Sequence, residues 1–275
     1  MSTVYDVAVV GSRGFLGSAI ATEIARRGAT VGRFTKQEPF TGGAEVVVWA
    51  AGHVSPADTS GADRALQDLR DLVAVAHNSH VVLLSSGGAV YGPPATAPFR
   101  ETDEPSPANE YGRIKLAEEK LLADSGIAHT VLRVANPYGP GQVSAASRSR
   151  GAQGVIGQWF AAVRDGRPIT IFGDGTAVRD YLYIDDLAEA VAIAAERHPG
   201  GVINVGSGTG TSLAVLLNQL TDAVAPLPVE VHREPARGMD PPAAWLDPAH
   251  ALHELGWSAT VSVPEGIAKT WAAVA

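Results

Sequence analysis

A doubly wound, parallel α/β sheet is the fold class this sequence predicts, on three observations. Apolar runs alternate with segments of helical periodicity, the first run is nearly continuous, and it ends in a glycine-rich turn. The chain has 275 residues, no cysteine, 45 % hydrophobic and 18 % charged residues, and a net charge of −8. That length can bury one large core or two smaller ones. Without cysteine there is no disulfide framework and no cysteine-ligated metal. The acidic balance argues against a nucleic-acid partner, while leaving room for a local basic pocket around one phosphate ester. Residues 1–6 lack a positively charged start followed by an apolar stretch, and no run approaches the ~18 apolar residues of a membrane span. A cytoplasmic protein with no membrane partner is therefore the expectation.

Residues 4–10 read as a strand ending at Gly11, and 15–27 as a helix closed by Gly28. Strands follow at 30–34 and 45–51, a helix at 63–77 and a strand at 81–85. A proline-rich stretch from Gly92 to Pro107 reads as a surface loop, followed by a helix at about 109–125 and a strand at 129–134. Residues 136–154 carry Pro137, Pro140, several glycines and a Ser/Arg-rich segment, which predicts a mobile loop. Then come a helix around 155–165, a strand at 169–172, a turn at 173–175 and an alternating segment at 179–184. Asp185 is placed to cap a helix running to Glu196, 202–205 is a further buried strand, and the proline-punctuated residues 226–275 suit a smaller lobe. There are no internal repeats.

The turn GSRGFLG at 11–17 has the spacing G-x-x-G-x-x-G directly between a strand and a helix. Backbone N–H groups and the positive end of the helix converge there, so a dinucleotide pyrophosphate is the expected occupant. The end of the second strand, Arg33-Phe34-Thr35-Lys36, has no acid to hold two ribose hydroxyls, and Arg13 adds a second guanidinium for a 2′-phosphate. This favours NADP(H), with NAD(H) as the alternative and solvated surface charges as the plainer reading of Arg13, Arg33 and Lys36.

Tyr111 and Lys115 are four apart in the predicted helix and so share a face. An ammonium beside a phenol stabilises the phenolate, which makes a proton donor and acceptor near neutral pH. The spacing alone is common on solvated helix faces; its position after the fourth strand of a chain with the glycine turn gives it weight.

The residues resemble the extended short-chain dehydrogenase/reductase family, the nucleotide-sugar epimerases, dehydratases and ketoreductases. The carriers are GSRGFLG (11–17), AAG (50–52), SSGGAVYG (85–92), Tyr111 with Lys115, RVANPYGPG (133–141) and FGDGTAVRDYLYIDDLAEA (172–190). The resemblance implies a Rossmann-type domain from 1–136 plus about 176–205, and a smaller α+β nucleotide-sugar lobe from about 137–175 plus 206–275. It implies that Tyr111 exchanges a proton with the sugar oxygen and that Lys115 also binds the nicotinamide ribose. Cofactor contacts would come from Gly11, Arg13, Gly14, Phe15, Leu16, Gly17, Arg33, Thr35, Lys36, Ala50, Ala51 and Gly52. Substrate contacts would come from Gly87, Asn136, Thr170, Phe172, Arg179, Arg237 and Asp240, with Arg179 on the diphosphate and Arg237 with Asp240 on phosphate and ribose. For Arg179 an ion pair with Asp180 or Asp186 is the plainer reading, and for Phe172 simple core packing. A homodimer through helices 63–77 and 109–125 is also implied.

Three departures from the family pattern matter. Gly87 stands where a Ser or Thr normally completes the catalytic set, leaving Ser86, a water or a backbone N–H as the substitute. Only about ten residues separate Lys36 from the next strand, so the core is shortened after the second strand. Thr35 replaces the acid of the second strand, which agrees with NADP(H). The leading expectation is NADPH-dependent reduction of a nucleotide-linked 4-ketosugar, plausibly a thymidine-diphosphate 4-keto-6-deoxyhexose. The alternative is an NAD-dependent nucleotide-sugar 4-epimerase, and the third is a cofactor-binding regulatory protein with weakened catalysis. Dehydration is disfavoured, because Gly88 and Ala89 stand where dehydratases carry an Asp-Glu pair.

Overall fold

The computed structural model describes residues 5–52, 54–143, 154–236 and 242–274. In chain order the elements are β1 (Tyr5–Val10), α1 (Phe15–Arg26), β2 (Val31–Phe34), β3 (Ala44–Trp49), α2 (Ala62–Val75), β4 (His80–Ser86), α3 (Gly87–Val90), α4 (Glu110–Asp124), β5 (His129–Val134) and β6 (Asn136–Tyr138). After a 3-10 turn (Pro140–Val143) come α5 (Val155–Arg164), β7 (Ile169–Phe172), β8 (Val178–Tyr183), α6 (Ile184–Arg197), β9 (Gly201–Val205), β10 (Gly210–Ser212) and α7 (Leu213–Val224). The chain closes with β11 (Val231–Glu234), β12 (Ala243–Ala244), α8 (Ala249–Leu255) and α9 (Val263–Val274).

The main sheet has six parallel strands in the order β2-β1-β3-β4-β5-β9. Alternate residues of its strands point to opposite faces. Val7 and Val9, Val46 and Val48, and Val82 and Leu84 pack into the layer shared with α1 and α6. Ala8 and Val10, Val47 and Trp49, and Val81 and Leu83 pack into the layer shared with α2 and α4. Both faces are therefore dry, which is why these strands read as continuous valine-rich runs. The order reverses at β1, whose carboxyl end sits between those of β2 and β3; in such sheets that crevice is where ligands bind. The nine residues between β2 and β3 form no helix or strand, so β2 is the sheet edge and the expected shortening of the core is real.

Beyond the carboxyl edge lies a smaller sheet, β10-β8-β12 with β6 alongside β8, and a separate parallel pair, β7 with β11. Thus β8 belongs to the smaller sheet, and the chain returns to the main one only at β9.

Three local expectations need correction. The segment after Gly92 is not simply a surface loop, because Tyr91 and Phe99 are buried and stacked at 5.1 Å, and Phe99 bridges to Leu246. Residues 136–138 form β6 and 140–143 a 3-10 turn where a mobile loop was expected; 144–153 lie outside the described residues. Asp185 does not cap α6: Tyr183 holds that position without a side-chain bond, and both aspartates sit in the first turn. Asp186 instead accepts hydrogen bonds from Thr260 N, Thr260 Oγ1 and Val261 N, pinning the approach to α9. Among the described residues no helix is long and apolar enough to cross a membrane.

Two stability outcomes follow. Asp186→Ala strands donors around a buried site and is expected to lower unfolding free energy by about 1–3 kcal/mol in urea titrations, whereas Asp185→Ala should cost far less. His80 lies at the amino end of β4, stacked on His198 at 4.7 Å with Nε2 2.8 Å from Thr130 Oγ1. Burial, then the neighbouring His198 and His129, push it down to about 4. The unfolded chain takes up that proton near pH ~6.5 and the native state only near the shifted value, so stability falls as pH drops through this window. His80→Gln should lose less stability than the parent between pH 7 and 5; equal losses would contradict this.

Candidate active site

The glycine turn works by omission of side chains. Gly11 has φ +92°, and a Cβ there would lie 2.7 Å from Ala50 O and 2.8 Å from Ala51 N. A Cβ on Gly17 would collide with the Gly11 carbonyl, so only glycine lets α1 start this close to the sheet. Gly14 N donates to Gly11 O at 2.9 Å, and Gly11 N and Ser12 N both donate to Phe34 O, locking the turn to the end of β2. Gly14 has no side chain to cap α1, and the first N–H groups of a helix have no intrahelical acceptors. The result is a backbone cradle at the positive end of a 12-residue helix, fitted to a diphosphate. Phe15 and Leu16 are half-buried against the core. A Cβ on Gly141 would sit 2.8 Å from Phe15 Cδ2, so the 3-10 turn closes over Phe15.

Around the end of β2 the structure adds a residue that the sequence reading passed over. Arg13 is 74 % exposed at its side chain, with Nη2 3.6 Å from the Glu38 carboxylate. Thr35 Oγ1 accepts from Gln37 N and Glu38 N, and Thr35 N donates to Glu38 O. The hydroxyl of Thr35 therefore closes a turn that brings an acid, Glu38, back beside the glycine turn. Arg33 and Lys36 are exposed. The signal was present as an acid three residues past Thr35, but only the fold of the turn shows where it goes.

α4 is started by Asn109, whose Oδ1 accepts from Gly112 N at 2.9 Å. A Cβ on Gly112 would collide with Ala89 O and lie 2.8 Å from Pro107 Cβ, so the first turn of α4 is pressed against α3. This sets Tyr111, half-buried, near the carboxyl end of β4, and Lys115, buried, one turn deeper. Lys115 Nζ donates to Glu118 Oε2 at 2.9 Å and to Leu84 O at 3.4 Å. Burial works against the charged form, but Glu118, Tyr111 and Glu119 outweigh it and hold the ammonium above the ordinary lysine range.

Below the pair lies a buried network. Ser85 Oγ donates to Glu119 Oε1 at 2.5 Å, Arg133 Nη2 meets Glu119 Oε2 at 2.7 Å, and Arg133 Nη1 donates to Tyr91 Oη, which donates to Asn204 Oδ1. Ser85 and Arg133 are register partners on the α4 side, so strand alternation turns Ser86 and its partner Val134 to the other face. Gly87 opens α3; a Cβ there would lie 2.6 and 2.8 Å from the Leu246 methyl carbons and 3.2 Å from Arg133 O. Leu246 is buried, so apolar carbon fills the space that a hydroxyl-bearing residue at 87 would need.

Asn136 reaches this neighbourhood from β6: its Nδ2 donates to Asp180 O at 2.8 Å and is 3.9 Å from a Cβ on Gly88. Arg179 is half-buried on β8 between Thr211 and Ala244, with Nη1 on Val178 O at 2.8 Å. The two carboxylates expected to pair with it are engaged elsewhere: Asp180 accepts from Ser207 N, Ser207 Oγ and Leu246 N, and Asp186 holds Thr260 and Val261. Thr170 and Phe172 lie on β7, opposite His232 and Glu234 of β11, and the Thr170 carbonyl accepts from Trp159 Nε1. They stand on a different sheet from Asn136 and Arg179. Arg237 and Asp240 lie outside the described residues.

The model of the NAD-dependent epimerase/dehydratase family matches residues 7–206. The chain is 38 % identical over 197 residues to a UDP-glucose 4-epimerase of Mycolicibacterium smegmatis, covering 69 % of this chain and 60 % of that protein. It is 34 % identical over 195 residues to a dTDP-4-dehydro-6-deoxyglucose reductase of Escherichia coli, covering 69 % of this chain and 59 % of that one. The chain thus spans about three fifths of the length of these curated relatives. The solved structure of the Thermus thermophilus UDP-glucose 4-epimerase in complex with NAD superimposes with a TM-score of 0.81 at 28 % identity, covering 98 % of both chains. A glycine cradle at the switch of a parallel sheet, with a Tyr-x-x-x-Lys pair over the carboxyl end of its fourth strand, identifies the chain as belonging to the NAD-dependent epimerase/dehydratase family, of the extended short-chain dehydrogenase/reductase type.

Proposed function

We propose that this protein carries out NAD-dependent oxidation and reduction at C4 of a nucleotide-diphosphate sugar, with 4-epimerisation as its activity. The observation that carries the reading is the placement of Tyr111 and Lys115 beside the same carboxyl edge that bears the glycine cradle. Identity to a UDP-glucose 4-epimerase supports it. The main sheet with its helices holds the dinucleotide, and the smaller sheets hold the nucleotide sugar.

When bound, NAD supplies the hydride acceptor and, in the return step, the donor. Tyr111 Oη takes the proton of the sugar hydroxyl as that oxygen becomes a carbonyl and gives it back as the carbonyl is reduced. Lys115, one helical turn along from Tyr111 and in electrostatic contact with it, offers a donor to the nicotinamide ribose. Arg179, free of both neighbouring aspartates, neutralises the substrate diphosphate, and Asn136 orients the sugar from the side of Gly88. With Gly87 backed by Leu246, no hydroxyl at that position shares the reacting oxygen, and Tyr111 bears the proton transfer there.

We take NAD over NADP(H) because Glu38 stands beside Arg13. Its carboxylate is suited to accept from ribose hydroxyls and opposes a 2′-phosphate, which the cations at 13, 33 and 36 would otherwise attract. A second reading, one-way reduction of a nucleotide-linked 4-ketosugar, is favoured by the Escherichia coli reductase relative.

Incubation with UDP-glucose and NAD, followed by proton NMR of the sugar, should show the 4-epimer; a 4-ketosugar consumed with stoichiometric reduced cofactor would select the second reading. Tyr111→Phe should lower turnover by about 10²–10⁴-fold while NAD affinity stays within about threefold. Full turnover in that variant would remove Tyr111 as the proton carrier.

A further inference from the structure

Two carboxylates stand side by side within α4, and each meets a cation. Glu119 binds Arg133 and Ser85. Glu118, only 1 % exposed at its side chain, has the Lys115 ammonium at 2.9 Å. A carboxylate this far from water persists only with a close partner. The ammonium that Glu118 meets is also in electrostatic contact with Tyr111, one turn earlier on the same helix. An ammonium beside a phenol favours the phenolate, and a carboxylate bound to that ammonium opposes the effect.

We propose that Glu118 is a positioning and charge-balancing residue of the site, which fixes the Lys115 ammonium and offsets most of its field at Tyr111. This rests on Tyr111 acting as the proton carrier, as proposed above.

The surroundings leave the balance intact. Lys115, Glu118, Glu119 and Arg133 together carry no formal net charge. Against them β4 presents the Leu84 carbonyl and the Ser85 hydroxyl, α3 has no titratable side chain, and Tyr91 is bound to Arg133. On α2, Arg64 pairs with Asp68, Asp71 accepts from Gln67, Asp63 sits in the first turn, and Arg70 lines an outer cleft with Lys120 and Asp124.

The test is a pH titration of the full chain labelled with [13Cζ]tyrosine, without substrate or cofactor, followed by NMR. The Tyr111 resonance is assigned by its loss in Tyr111→Phe. Burial pushes Tyr91, Tyr138, Tyr181 and Tyr183 above the ordinary tyrosine range. Glu118→Gln should lower the Tyr111 midpoint by about one pH unit, and the double variant Lys115→Met/Glu118→Gln, which removes the pair whole, should leave it within about half a unit of the parent. An unchanged midpoint in Glu118→Gln would overturn the proposal. So would a rise of more than about one unit in the double variant, since Lys115 would then act uncompensated; the double variant decides alone if the single one does not fold. Because no sugar is present, failure here leaves the nucleotide-sugar reading to its own turnover test.

Discussion

Backbone approaches that no side chain would permit hold this site together. Gly11 and Gly17 let the first helix begin against the ends of β1 and β3, and Gly112 lets α4 begin against α3. Two helix starts are thereby brought to the same edge of one parallel sheet. A cradle of backbone N–H groups stands at one of them, and the Tyr111 and Lys115 side chains at the other. The rest of the fold serves this placement, since the dry valine-rich strands and the helices packed on both faces fix where those two starts can be.

Charge is handled on the same economical scale. The buried side of α4 carries two ion pairs, Lys115–Glu118 within the helix and Glu119–Arg133 to β5, and Tyr91 and Asn204 extend the second across to β9. Such sets add stability only when complete, because removal of one member strands a charge away from water. Across the site, Leu246 seals the space beside Gly87, leaving no room there for a hydroxyl-bearing side chain.

The sheet was legible in the sequence because its signal is local: continuous apolar runs, glycine turns and helical periodicity each act within about fifteen residues. The glycine turn and the Tyr111–Lys115 spacing were legible for the same reason, and even the shortened connection after β2 could be counted. What could not be read depends on contacts between distant residues. Asp186 looks like a capping acid until its carboxylate is found on Thr260 and Val261, 74 and 75 positions away. Phe99 looks like loop until it is seen stacked on Tyr91. Glu38 is one acid among many until the Thr35 turn carries it to Arg13, and Glu118 sits on α4 as one more helix glutamate until burial shows that its partner is Lys115.

In the proposed function the cradle at 11–17 holds an NAD pyrophosphate, with Glu38 governing the ribose end. Calorimetric titration of the cofactor-stripped protein with NAD and with NADP tests it most directly. One NAD per chain is expected, bound at least about tenfold more tightly than NADP, with the preference shrinking or reversing in Glu38→Ala. Absence of dinucleotide binding would contradict the assignment of the cradle, and a preference for NADP would contradict the role given to Glu38.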